Sequence, residues 1–286
     1  MNWKKYEKEI FEIFRNEYPD AEITLDAKII GRYSKRSRQI DILIEQYVAG
    51  NRLRIAIDAK FFNKKIDVKT VENYISMLND IEAHKGLLIT NVGYSQTALN
   101  RAYYDPTDIE LDILNFDQLK EFQTEYALPF AGNNAVDLFA PFGWIIDARS
   151  CPNWLATLYQ RGAEFDVEMD EWMYVNFWNR KENDDTVDDL LKIQKGEFEQ
   201  GNYEVEIEYL NTIKRKDSKV VLRKVKYKKH PISEYTGFVE FEDFIFFIVM
   251  FSPVELSNKN IRKMENILTT ITPRRIEIKT GGNKDA

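Results

Sequence analysis

Residues 38–62 read RQIDILIEQYVAGNRLRIAIDAKFF, and this stretch decides the fold of the N-terminal part of the chain. Two apolar runs rich in β-branched residues, at 38–48 and 52–62, predict consecutive β-strands. One aspartate interrupts each run, Asp41 in the first and Asp58 in the second. A charge inside an apolar strand is costly unless it is paired or holds a metal ion. The stretch therefore predicts two adjacent strands that carry a polar site.

The segments around this stretch predict an α/β domain. Tyr6, Ile10 and Phe14 recur at helical spacing before it, and Ser95 is a typical helix-capping residue after it. The predicted order is αβββαβαβ, a mixed sheet flanked by helices. Its segments are a helix at 3–18, strands at 22–32, 38–48 and 52–62, a helix at 67–84, a strand at 86–90, a helix from 95 to about 104 and a strand at 109–114.

The sequence changes character near residue 130, and we expect two domains, 1–130 and 135–286, joined by a linker at 129–134 rich in Pro, Gly and Asn. The second reads as an α+β domain for target recognition, sensing or oligomerisation. After a helix at 117–127, its predicted strands are 142–148, 172–178, 203–213, 219–228 and 237–251, and its predicted helices are 152–162, 184–200 and 257–270.

Two features of the second domain leave alternatives open. An aromatic cluster is either hydrophobic core or a platform for stacking bases. A basic ridge on a predicted strand either touches DNA or protects an edge strand from aggregation. The cluster comprises Trp144, Trp154, Trp172, Tyr174, Phe177 and Trp178, and the ridge comprises Lys224, Lys226 and Lys228.

Composition excludes several classes of protein. With 44% hydrophobic and 30% charged residues among 286, the chain is typical of an ordinary globular protein. Its longest apolar run, 244–251, is too short for a bilayer and its N-terminus lacks the apolar stretch of a signal peptide, so we expect a cytoplasmic protein without membrane contact. Cys151 is the only cysteine and His84 and His230 are the only histidines, which leaves oxygen atoms as metal ligands.

Charge is distributed unevenly along the chain. The net charge of −7 argues against indiscriminate coating of nucleic acid, which requires neutralisation of phosphates by Lys and Arg. Residues 28–69 nevertheless contain eleven basic residues against four acidic ones, a local net charge of +7, and residues 212–230 have a net charge of +8. Such runs are usually solvated surface. The first is of greater interest because it surrounds the two aspartates.

Asp41, Asp58 and Lys60 have the arrangement that phosphodiester hydrolysis needs. Two carboxylates on adjacent strands are oxygen ligands suited to Mg²⁺, and Lys60 lies on the same strand face as Asp58. A lysine there can position the attacking water or stabilise the transition state. In the alternative interpretation, Asp58 and Lys60 are neighbours on an exposed strand and Asp41 pairs with an arginine. The order of the surrounding elements favours the metal site.

The same residues give residues 3 to about 117 a resemblance to the PD-(D/E)XK nuclease superfamily, and within it to Mrr-like restriction endonucleases. The motifs that carry it are YEKEI at 6–10, RQIDI at 38–42, IDAKF at 57–61 and KGLLITNVGYS at 85–95. The resemblance implies that Asp41 and Asp58 are metal ligands, that Lys60 is the catalytic lysine and that Glu7 supports the metal or its water, with Glu9 as a competing candidate. Ile40 stands where the named motif has proline.

The resemblance implies a DNA endonuclease that uses Mg²⁺, with Mn²⁺ as a substitute, in prokaryotic restriction or anti-phage defence. Lys35, Arg36 and Arg38 are the predicted phosphate contacts because their hairpin borders the metal site. Nucleases of this fold often dimerise, so we expect a homo-oligomer, and a protein partner from a defence system is a further expectation. The alternatives are a non-catalytic DNA-binding or regulatory protein and a scaffold subunit of a defence complex, both built on a nuclease fold.

Overall fold

The computed structural model divides the chain into two units, Met1–Leu119 and Lys120–Ala286, which are described separately. It describes residues 1–48, 51–107, 109–114, 116, 122–141, 143–147, 149, 151–161, 163–180, 185–210, 213–228 and 230–277.

The N-terminal unit has the predicted order of elements, αβββαβαβ. Its five strands form one mixed sheet in the order β1-β2-β3-β4-β5, antiparallel from β1 to β3 and parallel from β3 to β5, with helices flanking it. The elements are α1 Trp3–Glu17, β1 Glu22–Ile30, β2 Ser37–Val48, β3 Asn51–Lys60, α2 Val68–Asp80, β4 Lys85–Thr90, α3 Gln96–Tyr103 and β5 Ile109–Ile113.

The helices of this unit form where caps and apolar spacing agree. Asn2 caps α1 by accepting a hydrogen bond from the Lys5 amide, and Asp67 caps α2 by accepting one from the Thr70 amide. Ser95 caps α3 as predicted. The apolar faces of α2 and α3 pack against the sheet and form the core with it. This packing fixes the strand ends on which the candidate site lies.

The second unit is mostly β-sheet. An eight-stranded antiparallel sheet has the order β13-β14-β15-β16-β12-β11-β10-β6, and a small sheet has the order β17-β9-β7, with β8 paired to β9. The elements are β6 Gln123–Thr124, β7 Tyr126–Ala127, β8 Phe130–Ala131, β9 Asn134–Phe139, β10 Trp144–Asp147, β11 Ala156–Gln160, β12 Trp172–Asn179, α4 Val187–Gln200, β13 Val205–Leu210, β14 Lys219–Tyr227, β15 Ile232–Glu240, β16 Phe244–Pro253, α5 Ser257–Thr270 and β17 Thr272–Arg275.

The two helices of this unit cover opposite faces of the large sheet. Met264 and Leu268 of α5 pack on a cluster that includes Phe246, whereas Val187 of α4 packs on a cluster that includes Ile245. Consecutive residues of a strand point to opposite faces, so the two helices sandwich the sheet. Within the described residues, none of the helices combines the length and apolar character needed to cross a bilayer.

Several expectations for the second unit are wrong. The predicted helix at 152–162 is strand β11, and the described part of the predicted helix at 117–127 forms β6 and β7, while 117–121 lie outside the described residues. The single strand expected at 237–251 belongs to two strands, because the chain reverses between β15 and β16 with the Phe241 amide bonded to the Phe244 carbonyl at 3.0 Å. The segment predicted as a linker, 129–134, pairs in the small sheet through β8 and β9.

The large sheet also bears on the alternatives stated for the aromatic cluster and for the basic ridge. Trp144 and Trp172 are buried, which confirms the core interpretation for them. The edge-strand interpretation of the ridge is wrong, because β14 lies between β13 and β15. Lys228 instead pairs with Glu204 at 3.3 Å, and the Lys224 ammonium lies 5.7 Å from the centre of the Tyr235 ring.

Candidate active site

Asp41 and Asp58 lie where the ladder between β2 and β3 ends. The last cross-strand pair there is Ile42 with Ile57, so the two aspartates come next on their strands and face each other. The Asp41 Oδ2 atom accepts a hydrogen bond from the Ala59 amide at 2.9 Å, and the two carboxyl groups share a hydrogen bond. The sequence predicted the two adjacent strands, and the register brings their aspartates together.

Lys60 lies beside Asp58 on the same face of β3. Its Nζ atom is 2.6 Å from Asp58 Oδ1, and both side chains are partly buried. Burial lowers the pKa of Lys60, but the carboxylates of Asp58, Asp41 and Glu7 outweigh it and raise that pKa overall. The lysine therefore stays protonated and presents a fixed positive charge at this point.

The protonation of Asp41 is unusual for an aspartate. Burial is the main cause that raises its pKa, to about 8, and the hydrogen bond and negative charge of Asp58 add to it. The Ala59 amide and Lys60 act in the opposite direction and do not compensate. Because Asp58 raises the pKa of Asp41, additional positive charge between the two carboxyl groups is favourable.

Helix α1 brings Glu7 to the same place. Tyr6 and Ile10 are fully buried, and the Tyr6 hydroxyl donates to the Leu114 carbonyl at 2.9 Å, which fixes the rotation of the helix about its axis. Glu7 consequently faces Lys60 and Asp58, and its pKa is raised by burial, lowered by Lys60 and raised by Asp58. The competing candidate Glu9 pairs with Lys5 at 3.6 Å and does not line the cavity described next.

One open cavity of about 880 Å³ is lined by the side chains of Glu7, Asp41, Asp58 and Lys60. Arg38, near the start of β2, lines it as well, and its Nε atom also donates to Asp80 Oδ2 at 2.6 Å. Lys35 and Arg36 are exposed in the connection between β1 and β2 and are not part of the cavity wall. The arrangement can hold an anionic chain next to a pair of carboxylates and a protonated amine.

Two residues of this region were not predicted from the sequence. Tyr74 of α2 lines the cavity, and its hydroxyl donates to the Ala56 carbonyl at 2.6 Å and accepts from the Leu87 amide at 2.8 Å, which ties β3 to β4. Its spacing from Val71 and Leu78 on the buried face of α2 was the available signal. Asp80, at the end of α2, gave no local signal, because its partners lie more than forty residues away in the sequence.

The donor set of the cavity fits a divalent cation of the Mg²⁺ type. Asp41 and Asp58 offer carboxylate oxygens, and the raised pKa of Asp41, caused first by burial and then by Asp58, shows that Lys60 alone does not offset the two buried acids. Among the described residues, no group of three or more His, Cys, Asp or Glu side chains is arranged to hold a metal ion. Asp41 and Asp58 would thus be the protein's carboxylate ligands, and water, backbone or phosphate oxygens would complete the coordination.

Comparison with protein families agrees with this geometry. Residues 1–122 match the Mrr_cat family, whose description is restriction endonuclease. By this match the N-terminal segment is similar to a restriction endonuclease domain. The predicted resemblance to Mrr-like enzymes is thereby confirmed, and it supports a nuclease-family role for the matched segment.

Other comparisons add little. No curated protein matches the chain. Among the solved structures that match, three illustrate the partial similarity. The first is AF1548, a protein of unknown function, at 20% identity and a TM-score of 0.32, over 38% of this chain and 58% of that one. The second is cyanobacterial PsbP from Synechocystis sp. PCC 6803, at 11% identity and a TM-score of 0.34, over 48% of this chain and 85% of that one. The third is LpqN of Mycobacterium tuberculosis, involved in cell envelope biogenesis, at 11% identity and a TM-score of 0.38, over 52% of this chain and 90% of that one.

Proposed function

We propose that this protein is a metal-dependent DNA endonuclease. One observation carries the proposal: Asp41, Asp58, Lys60 and Glu7, from three different elements, line one open cavity of the segment that matches restriction endonucleases. The same match supports a role in prokaryotic restriction or anti-phage defence. The second unit would then select the target or control the activity, and a homo-oligomer would supply one site for each strand of a duplex.

In this proposal Asp41 and Asp58 hold Mg²⁺, with Mn²⁺ as a substitute. When bound, the cation neutralises charge on the scissile phosphate and lowers the pKa of the attacking water. The Lys60 ammonium, kept in place by Asp58 at 2.6 Å, donates a hydrogen bond to the attacking water or to the phosphate oxygen on which charge develops. Glu7 orients water at the cavity wall.

The basic residues around the cavity would bind the DNA backbone. Lys35 and Arg36 are exposed and Arg38 lines the cavity, so their charges are available to phosphates near the candidate site. Neutralisation of phosphates makes affinity fall as salt rises. Binding that does not respond to salt would contradict this assignment of the three residues.

The test is cleavage of plasmid and phage DNA with Mg²⁺ or Mn²⁺ by the wild type and by Asp58→Ala and Lys60→Ala, each checked for folding by circular dichroism. We expect cutting to need the metal and to fall by about 100-fold or more in both variants, because Lys60→Ala removes a transition-state donor and Asp58→Ala removes a metal ligand. Lys195→Ala, an exposed lysine of α4, is the control and should cut normally. Binding without cutting under every condition would instead identify a non-catalytic DNA-binding protein.

A further inference from the structure

The connection between β1 and β2 is a basic turn whose backbone is held by several hydrogen bonds. It consists of residues 31–36, GRYSKR, which we call the basic turn. Arg32, Lys35 and Arg36 give it three positive charges, and of these Arg32 pairs with Glu82 outside the turn. Between these three residues the Tyr33 side chain is 72% exposed, and the Arg32 guanidinium lies 5.6 Å from the centre of its ring. An exposed aromatic ring among cations offers a base a stacking surface next to phosphate-binding charges.

Asp80 holds the basic turn from the end of α2. Its Oδ1 atom accepts hydrogen bonds from the amides of both Tyr33 and Ser34 at 2.9 Å, and its backbone carbonyl accepts one from the Arg32 amide at 2.7 Å. Asp80 is only 4% exposed. Three consecutive amides of the turn are thus bonded to one residue, so the backbone that carries Tyr33 is held in place by Asp80.

The local backbone is built around this anchor. The Gly31 amide donates to the Arg36 carbonyl at 2.8 Å, which closes the turn, and Lys35 adopts a left-handed conformation with φ of 55°. A β-carbon at Gly31 would overlap the Asp80 carboxylate and would lie 2.5 Å from the Ser34 hydroxyl. Glycine is therefore required for the close approach of the turn to Asp80.

Arg38 connects the basic turn to the candidate active site. It donates to Asp80 Oδ2 at 2.6 Å, and the same side chain lines both the 880 Å³ cavity and a second cavity of about 430 Å³ beside Tyr33 and Ser34. A polyanion that reaches Asp41 and Asp58 along this wall would pass Arg38 and then the basic turn. Such a path favours a nucleic acid strand over a compact anion.

We propose that the basic turn is a nucleic-acid contact in which the Tyr33 ring packs on a base or sugar, and that Asp80 is the positioning residue that holds it there. The inference deepens the proposed nuclease function and rests on it for the identity of the ligand. Lys35 and Arg36 supply phosphate contacts in this arrangement, and Tyr33 supplies an apolar contact that does not depend on salt.

The first test measures binding of a short labelled DNA duplex and of its single strand by fluorescence anisotropy in a chelator, so that cleavage plays no part. We expect Tyr33→Ala to weaken binding by about 5- to 100-fold, the range found when one stacked base contact is lost, without changing the dependence on salt. Tyr33→Phe keeps the ring and should bind like the wild type. Tyr47→Ala is the matched control, because Tyr47 is 68% exposed near the other end of β2.

The role of Asp80 is tested by a double-mutant cycle with Asp80→Asn. If Asp80 acts through the turn, this variant weakens binding, and its effect shrinks when Tyr33 is already alanine, because both changes remove one contact. A merely structural role would lower the melting temperature and give additive effects on affinity. Additive effects would therefore overturn the assignment of Asp80. The Tyr33 variants change an exposed side chain, so they test the contact even if Asp80→Asn fails to fold.

The two proposals fail in different ways. Equal affinity of Tyr33→Ala and the wild type, or no binding by the wild type to duplex or single strand, overturns the contact. Loss of affinity in Tyr33→Ala by a protein that cuts nothing supports the contact and counts against the endonuclease. Cleavage with unchanged affinity in Tyr33→Ala supports the endonuclease and overturns the contact.

Discussion

Replacing Asp58 with asparagine should change the stability of the metal-free protein in opposite directions at low and high pH. Asp41 has its pKa raised from 3.8 to about 8, first by burial and then by Asp58. Its folded-state pKa lies above the unfolded value, so the stability it contributes is full below about pH 4 and is lost as the pH rises through about 8. Asparagine at 58 removes the neighbouring charge and thus part of this loss.

The magnitude follows from the shift. A rise from 3.8 to about 8 is about 4 pH units, and at about 1.4 kcal/mol per unit its ceiling is about 6 kcal/mol. Burial, the largest cause of the raised pKa, remains in the variant. We therefore expect Asp58→Asn to recover less than half of this lost stability, about 1–3 kcal/mol above pH 8. The variant also loses the partly exposed pair of Lys60 with Asp58, worth about 0–1 kcal/mol at any pH.

The net expectation is a variant slightly less stable than the wild type at about pH 5 and about 1–2 kcal/mol more stable at about pH 9. Thermal unfolding followed by circular dichroism in a chelator measures both. Asp26→Asn is the control, because Asp26 lines the same cavity and its φ of 54° suits asparagine. A shift of the same sign and size at both pH values for Asp58→Asn would refute the reasoning.

Two further predictions concern packing, each read from urea unfolding. Leu78→Ala, at a fully buried position of α2, should lower the free energy of unfolding by about 2–5 kcal/mol, and a loss below about 1 kcal/mol would contradict its place in the core. Gly237→Ala should lower the free energy of unfolding by about 1–3 kcal/mol, because a β-carbon there lies 2.5 Å from the Leu268 side chain. Gly196→Ala in helix α4 should raise it by up to about 1 kcal/mol, because a β-carbon there has no neighbour within 4 Å and alanine favours the helix. Equal effects at the two glycines would contradict this difference.

The N-terminal unit could be predicted closely because its signals are local. Asn2, Asp67 and Ser95 cap helices whose apolar spacing is regular, and each cap bonds within its own first turn. The strand at 38–48 and the strand at 52–62 are long and rich in β-branched residues. Propensity, spacing and capping agree at these positions, so the order of elements follows from the sequence.

The second unit was predicted less well because its signals conflict. Residues 152–162 contain a short apolar run that fits either a helix or a strand, and pairing of β11 between β10 and β12 decides in favour of the strand. The stretch 237–251 is apolar on both sides of Glu240, Glu242 and Asp243, and this short acidic interruption is where the chain turns from β15 to β16. Periodicity cannot reveal a strand whose identity depends on its neighbours in the sheet.

Asp41 and Asp80 show what the sequence could not distinguish. Both are aspartates of the N-terminal unit, yet Asp41 has its pKa raised by burial and by Asp58, whereas Asp80 has its pKa held well below its usual range by hydrogen bonds from Ser34 and from Arg38. A carboxylate that accepts several hydrogen bonds stabilises the local structure, whereas a carboxyl group next to a second one favours the binding of a cation. The partners that decide between these roles come from elsewhere in the chain. A metal-ion titration should therefore perturb the surroundings of Asp41 and leave those of Asp80 unchanged.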